Sequence, residues 1–213
     1  RRVLFRSEIF LLALPAALAA LLQHAFRPLD QLYVSWLGRE AQGALGSTTF
    51  VVIFFWAFFI LVSGGVGPLV ARATGQGDEV ERTKIIGVGL KAIGFIYLIL
   101  FVIVLCGADL MATLLGLEGE TAAYTATYLR ALYLTGFAMA LGPVIDAALI
   151  GMGNTVLPLV IQACVLLINA LLTPFCIFYL DLGVAGAALG TTFAQTIGVF
   201  VGLFFLVRKT NLG

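Results

Sequence analysis

The chain has 213 residues, of which 62% are hydrophobic and only 11% charged. Soluble domains carry about 25% charged and about 45–50% apolar residues, so a water-soluble fold of this size cannot hide so much apolar surface, and the expected solvent is a lipid bilayer. The net charge of +1 gives no basis for a nucleic-acid partner.

In chain order, residues 1–7 (Arg1-Arg2-Val3-Leu4-Phe5-Arg6-Ser7) match one frame of a common sequencing-adapter oligonucleotide and are set aside as a non-native scar. Residues 8–210 form one six-helix unit. A membrane helix needs about 20 predominantly apolar residues, and the runs predict spans at 9–37, 43–72, 82–108, 121–150, 157–180 and 184–207. Pro15 and Pro28 interrupt the first and are candidate hinges, because proline removes a backbone hydrogen bond. Gly64-Gly65 and Gly67-Pro68 punctuate the second span, and Gly142-Pro143 punctuates the fourth. Asp78, Glu79 and Glu81 suit the first turn of the third. Gly153-Asn154 stops a helix, and Pro158 fits the opening turn of the next. Short connections make these helices antiparallel neighbours.

Positive charge orients the bundle. Arg72, Arg82, Lys84 and Lys91 flank the second–third connection, and Arg208 and Lys209 follow the sixth span, at the same end if there are six. Both termini are therefore expected to be cytoplasmic, in a multi-pass protein of the inner or plasma membrane.

Catalytic chemistry has little to work with. The only histidine is His24, there is no His-Glu-x-x-His motif, and no Ser–His or Asp–Asp pair stands out, so an enzyme is not expected. Cys106, Cys164 and Cys176 lie apart in apolar runs, with neither a disulfide framework nor metal spacing.

The polar residues inside the spans are more informative. Asp30 is a carboxylate at membrane depth, which costs a few kcal/mol and needs a partner or a proton. At about 100° per residue, Gln23, Arg27 and Asp30 fall within about 60° of one another on the first span, and Gln162, Asn169 and Thr173 within about 40° on the fifth. Tyr124, Tyr128 and Thr135 share a face of the fourth span, and the sixth offers Thr191, Thr192, Gln195 and Thr196. Hydroxyls alone read as interhelical hydrogen bonds. Arg27 can meet Asp30 at i, i+3 and hold it ionised, or turn aside, for example toward Asp146, and leave it free to exchange a proton. Discontinuous helices around midplane polar groups are a transporter trait.

Several segments carry a family resemblance. Leu14-Pro15-Ala16, Leu29-Asp30-Gln31 and Trp36-Leu37-Gly38 resemble the first helix of multidrug and toxin extrusion (MATE) transporters. Gly64-Gly65-Val66-Gly67 with Ala71-Arg72-Ala73-Thr74-Gly75-Gln76-Gly77 resembles the end of their second. Tyr128-Leu129-Arg130 and Gly151-Met152-Gly153-Asn154-Thr155 resemble the fourth, and Leu167-Ile168-Asn169 through Pro174, with Gly183-Val184-Ala185-Gly186, the fifth and sixth.

The resemblance implies an all-α integral membrane fold, a six-transmembrane-helix bundle forming one lobe of a twelve-helix MATE-type antiporter. This chain resembles the N-terminal lobe of the bacterial DinF-like branch. It implies that Asp30 and Asn169 are cation-coupling residues and Pro15 a kink; by spacing, Tyr128 and Thr191 match cavity residues. Gln23, Gln162 and Gln195 join that cavity set from their helical faces. Thr173, the third expected cation-coupling residue, stands where the branch often has an aspartate, which removes one carboxylate of a pair, and Arg27 is atypical one turn before Asp30.

The expected function is cation-coupled (H+ or Na+) antiport exporting amphipathic or cationic organic compounds. The expected partners are the lipid bilayer, a C-terminal six-helix lobe and a small organic substrate. No cofactor is expected beyond the coupling ion, and Na+ near Asp30 is the one metal reading left open. Two alternatives stand beside it: a flippase of the same superfamily carrying a lipid-linked precursor, and a non-transport six-helix scaffold or channel.

Overall fold

The computed structural model describes residues 2–209, and their side chains except those of residues 2–9 and 12. Arg1 and the other side chains of the 1–7 segment lie outside the described residues. All regular elements within this range are helical: α1 (Arg2–Val34), α2 (Arg39–Gln76), α3 (Glu79–Leu114), α4 (Gly119–Thr135), α5 (Phe137–Gly151), α6 (Val156–Pro174) and α7 (Gly183–Lys209). A short 3-10 turn, Ser35–Leu37, follows α1, and a π turn, Phe175–Tyr179, follows α6.

The joints follow from local chemistry. Gly77 takes a left-handed conformation (φ 72°) and its N–H returns to Ala73 and Thr74 carbonyls, closing α2. The next residue, Asp78, caps α3 by accepting the Glu81 N–H at 2.8 Å, an arrangement worth about 1 kcal/mol. Asn154 Oδ1 accepts the Leu157 N–H at 3.1 Å, starting α6 just before Pro158. At the far end of α7, the Lys209 carbonyl accepts from Arg82 Nη2 at 3.2 Å, so the α2–α3 joint and the end of α7 share one end of the bundle.

Burial runs opposite to that of a soluble protein. Phe50, Leu61, Phe95, Leu171 and Phe200 are 66–76% exposed, while Asp30, Thr48, Thr125, Asn169, Thr173 and Thr192 are buried. Exposed apolar surface on this scale is stable only against hydrocarbon. Among the described residues, α2, α3, α6 with its π turn, and α7 are each long and apolar enough to cross a membrane, and α4 with α5 meets the same criterion as a bent pair. Helix α1, with 33 residues, contains the Ile9–Phe26 apolar run of the first expected span.

The fourth span corrects a sequence expectation. It does not run as one helix over 121–150, nor break at Gly142-Pro143; it bends by 57° between α4 and α5, and Pro143 lies inside continuous helix. The break falls at Gly136, where the bent backbone suits glycine because a Cβ would run into the Leu132 carbonyl. Helix ends orphan their last carbonyls. One of these, Tyr133 O, accepts the Tyr97 hydroxyl of α3, and Thr135 Oγ1 bonds Thr192 Oγ1 at 2.7 Å. Neither proline of the first span breaks it: α1 continues through Pro15 and Pro28.

Helix α6 packs on α7 and α1, and α2 packs on α5 and α3. The α6–α7 contact is unusually close. A Cβ at Gly190 would come 2.6 Å from Thr173 Cα, and one at Gly186 would come 2.8 Å from the Cys176 carbonyl group. Small residues at i, i+4 bring two membrane helices to backbone contact in this way, and here they bring Thr191 within reach of Asn169.

Candidate functional site

Asp30 lies just before the last turn of α1 and is 1% exposed. Its Oδ2 accepts the Thr191 hydroxyl at 2.7 Å. The Thr191 oxygen in turn accepts from Asn169 Nδ2 at 3.0 Å, and the same amide donates to Thr173 Oγ1 at 2.9 Å. A directed chain thus runs from the Asn169 amide through one hydroxyl to the carboxylate, and bonds in such a chain polarise one another. Three helices meet in it: α1, α6 and α7. The Tyr33 hydroxyl, which donates to the Ala170 carbonyl at 2.9 Å, ties the end of α1 to α6 beside it.

Two oxygens of this cluster are buried without a partner, Asp30 Oδ1 and Asn169 Oδ1. Buried acceptors are nearly always satisfied, so the pair marks a place for a donor or a cation. The ligand set is carboxylate, amide and hydroxyl oxygen, which suits a proton or a hard cation rather than a soft metal. No cluster of three or more His, Cys, Asp or Glu occurs among the described residues.

Beside this cluster opens a cavity of about 460 Å³, within the usual range for a small-molecule site. Gln23, His24, Arg27, Pro28 and Asp30 of α1 line it, with Thr49, Val52 and Trp56 of α2, Tyr128 and Leu132 of α4, Met139 of α5, and Thr191 and Gln195 of α7. Apolar and aromatic atoms make up most of its surface, with charged and amide groups gathered on α1 and α7.

The sequence candidates are distributed as follows. Asp30, Asn169, Thr173 and Thr191 form one hydrogen-bonded network, and Gln23, Tyr128, Gln195 and Pro28 line the adjoining cavity. Gln162 does not line it; its Nε2 donates to Asp146 Oδ2 at 3.0 Å in a separate small pocket. Arg27 borders the cavity but makes no ion pair with Asp30 or Asp146; the ion pairs among the described residues are Arg82–Glu79, Lys84–Glu81 and Arg130–Asp109. One guanidinium nitrogen of Arg27, Nη1, is buried without a partner. Pro15 is half-buried in α1, outside the cavity. Sequence reasoning missed Trp56 and Met139, which lie in apolar runs with no polar neighbour to mark them. It also missed the Tyr33 tie.

The MatE family model matches residues 15–175, three quarters of the chain. The chain belongs to the MatE family. Among MatE relatives, the multidrug export protein MepA of Staphylococcus haemolyticus is 28% identical over 92% of this chain and 43% of its own length. A NorM protein of Rhizobium meliloti, described as a "Probable multidrug resistance protein", is 29% identical over 98% of this chain and 45% of its own. The crystal structure of the Vibrio cholerae MATE transporter VcmN in the bent form superposes with a TM-score of 0.89 at 20% identity, over 95% of this chain and 46% of that one. This chain therefore has the fold of one MatE lobe and spans less than half the length of the relatives it matches.

Proposed function

We propose that this chain is the N-terminal lobe of a cation-coupled multidrug exporter in which Asp30 carries the coupling ion. The observation that carries the reading is the Thr191–Asp30 hydrogen bond, with the unpartnered Asp30 Oδ1 and Asn169 Oδ1 next to a 460 Å³ cavity. A proton or Na+ taken up there neutralises a carboxylate that otherwise sits in low dielectric at a cost. Neutralisation weakens the charge-assisted bond from Thr191, which loosens the end of α1 from α7. The ion thereby favours one arrangement of α1 over another, as any coupling ion must to shift a conformational equilibrium. Amphipathic organic cations suit the cavity: Trp56, Val52 and Leu132 offer an apolar and aromatic wall, and Asp30 an opposite charge.

A C-terminal lobe is the partner this reading requires, since the MepA and NorM relatives are more than twice as long. The bilayer is the inner or plasma membrane, and the end holding Arg82 and Lys209 is cytoplasmic by the positive-inside rule. The deciding experiment replaces Asp30 by Asn in the full-length gene and measures dye export in efflux-deficient cells. Loss of ion-dependent export at normal expression is expected; unchanged export overturns the reading.

One observation favours a second reading. Arg27 Nη1 is buried beside the cavity with no protein acceptor, an arrangement that suits an anionic headgroup and hence a lipid-linked cargo. Transport of an anionic lipid-linked precursor, lost in Arg27→Gln while cationic dye export is absent from wild type, would favour it.

A further inference from the structure

A second carboxylate lies away from Asp30, half-buried in a pocket lined by α5, α6 and α7. Gln162 Nε2 donates to Asp146 Oδ2 at 3.0 Å. Gln162 is only 4% exposed, and its amide oxygen Oε1 is buried without a partner. Together with Gln195 of α7 these residues line a void of about 10 Å³, room for roughly one water-sized body. Ile145, Ile161 and Val199 complete its walls. Gln195 borders both this void and the larger cavity.

A carboxylate among aliphatic side chains needs a neutralising partner. No Arg or Lys among the described residues pairs with Asp146. The lining offers carboxylate and amide oxygen, with neither imidazole nor thiolate, and such a set holds hard cations. One carboxylate balances a single positive charge; a divalent ion would leave a net charge in low dielectric. The void has no space for a hydrated ion.

We propose that Asp146, Gln162 and Gln195 form a second monovalent-cation site, sized for Na+ stripped of water and distinct from the Asp30 cluster. Gln162 precedes Asn169 by seven residues, about 10 Å along α6, and Gln195 follows Thr191 by about one turn of α7. The second site therefore lies nearer the α5–α6 turn, and the face of Gln195 joins it to the cavity that holds Asp30.

Binding of radiolabelled Na+ to the detergent-solubilised full-length gene product tests this. Protein carrying Asp30→Asn is expected to retain Na+ binding, and adding Asp146→Asn is expected to abolish it. Gln162→Leu keeps the side-chain bulk and removes the amide; in the Asp30→Asn background it is expected to weaken Na+ binding by about tenfold, as loss of one supporting group does at other metal sites. If Asp30→Asn protein binds no Na+, or if binding survives both Asp146→Asn and Gln162→Leu, the proposal is overturned. Where Asp146→Asn fails to elute as a folded monomer, Gln162→Leu decides alone: undiminished binding overturns the site. The assay reads ion binding and not export, so its outcome is independent of the coupling role proposed for Asp30.

Discussion

Thr191 gives its only hydroxyl proton to Asp30, 161 residues away in the chain, at 2.7 Å. That single bond fixes the end of α1 against α7. Its oxygen is simultaneously the acceptor for Asn169 at 3.0 Å, so one hydroxyl links side chains of α1, α6 and α7.

Thr191→Val is therefore expected to destabilise the protein by about 1.5–3 kcal/mol, the range for a hydrogen bond to a charged group. Thr191→Ser keeps the hydroxyl and is expected to lie close to wild type. Thermal unfolding in detergent measures both, and an unaltered midpoint for Thr191→Val would show that the bond contributes nothing.

Tyr97→Phe tests the bend in the fourth span. The Tyr97 hydroxyl satisfies the Tyr133 carbonyl that the break between α4 and α5 leaves free. Without it a buried acceptor is orphaned, at a cost of about 1–3 kcal/mol. Asp109→Asn provides the contrast: the Arg130–Asp109 ion pair is largely exposed and its loss is expected to cost no more than about 1 kcal/mol. Equal effects of the two substitutions would contradict this account.

Gly190→Ala is expected to cost about 1–3 kcal/mol, the usual penalty for overpacking, because the added methyl meets Thr173 backbone. The same methyl separates Thr191 from Asn169, so retained stability with retained ion-dependent export would be the outcome that contradicts it.

Trp56→Ala addresses the cargo. If cationic compounds rest on the indole face, the loss of about 0.5–2 kcal/mol raises the apparent KM for a cationic dye roughly two- to thirtyfold and leaves a neutral dye less affected. Export assays across a matched dye pair read this directly.

Much of the lobe is legible in the sequence, and the exceptions are instructive. Apolar runs place the helices, though α2 and α3 extend past them because a helix need not stop where hydrocarbon does. Asp30 is legible because its charge is conspicuous among Leu and Ala, and Asn169, Thr173 and Thr191 follow from a common face and the family pattern. Gln162 is misplaced by the same reasoning: a shared helical angle says nothing about depth, and about 10 Å of axial rise separates it from Asn169. The bend at Gly136 is hidden for a different cause. Pro143 is the louder local signal, yet the break lies at Gly136, where the backbone leaves no room for a Cβ beside the Leu132 carbonyl.

The glycines of α7 have a practical consequence for anyone wishing to redirect this lobe. Where α7 passes Cys176 and Thr173, main chain touches main chain, so the width of the ion cradle is set by two absent methyl groups. A mutant library aimed at new cargo can vary Trp56 and Met139, which line the cavity. Gly186 and Gly190 are the positions to hold constant, although neither carries a functional group that selection for chemistry would single out.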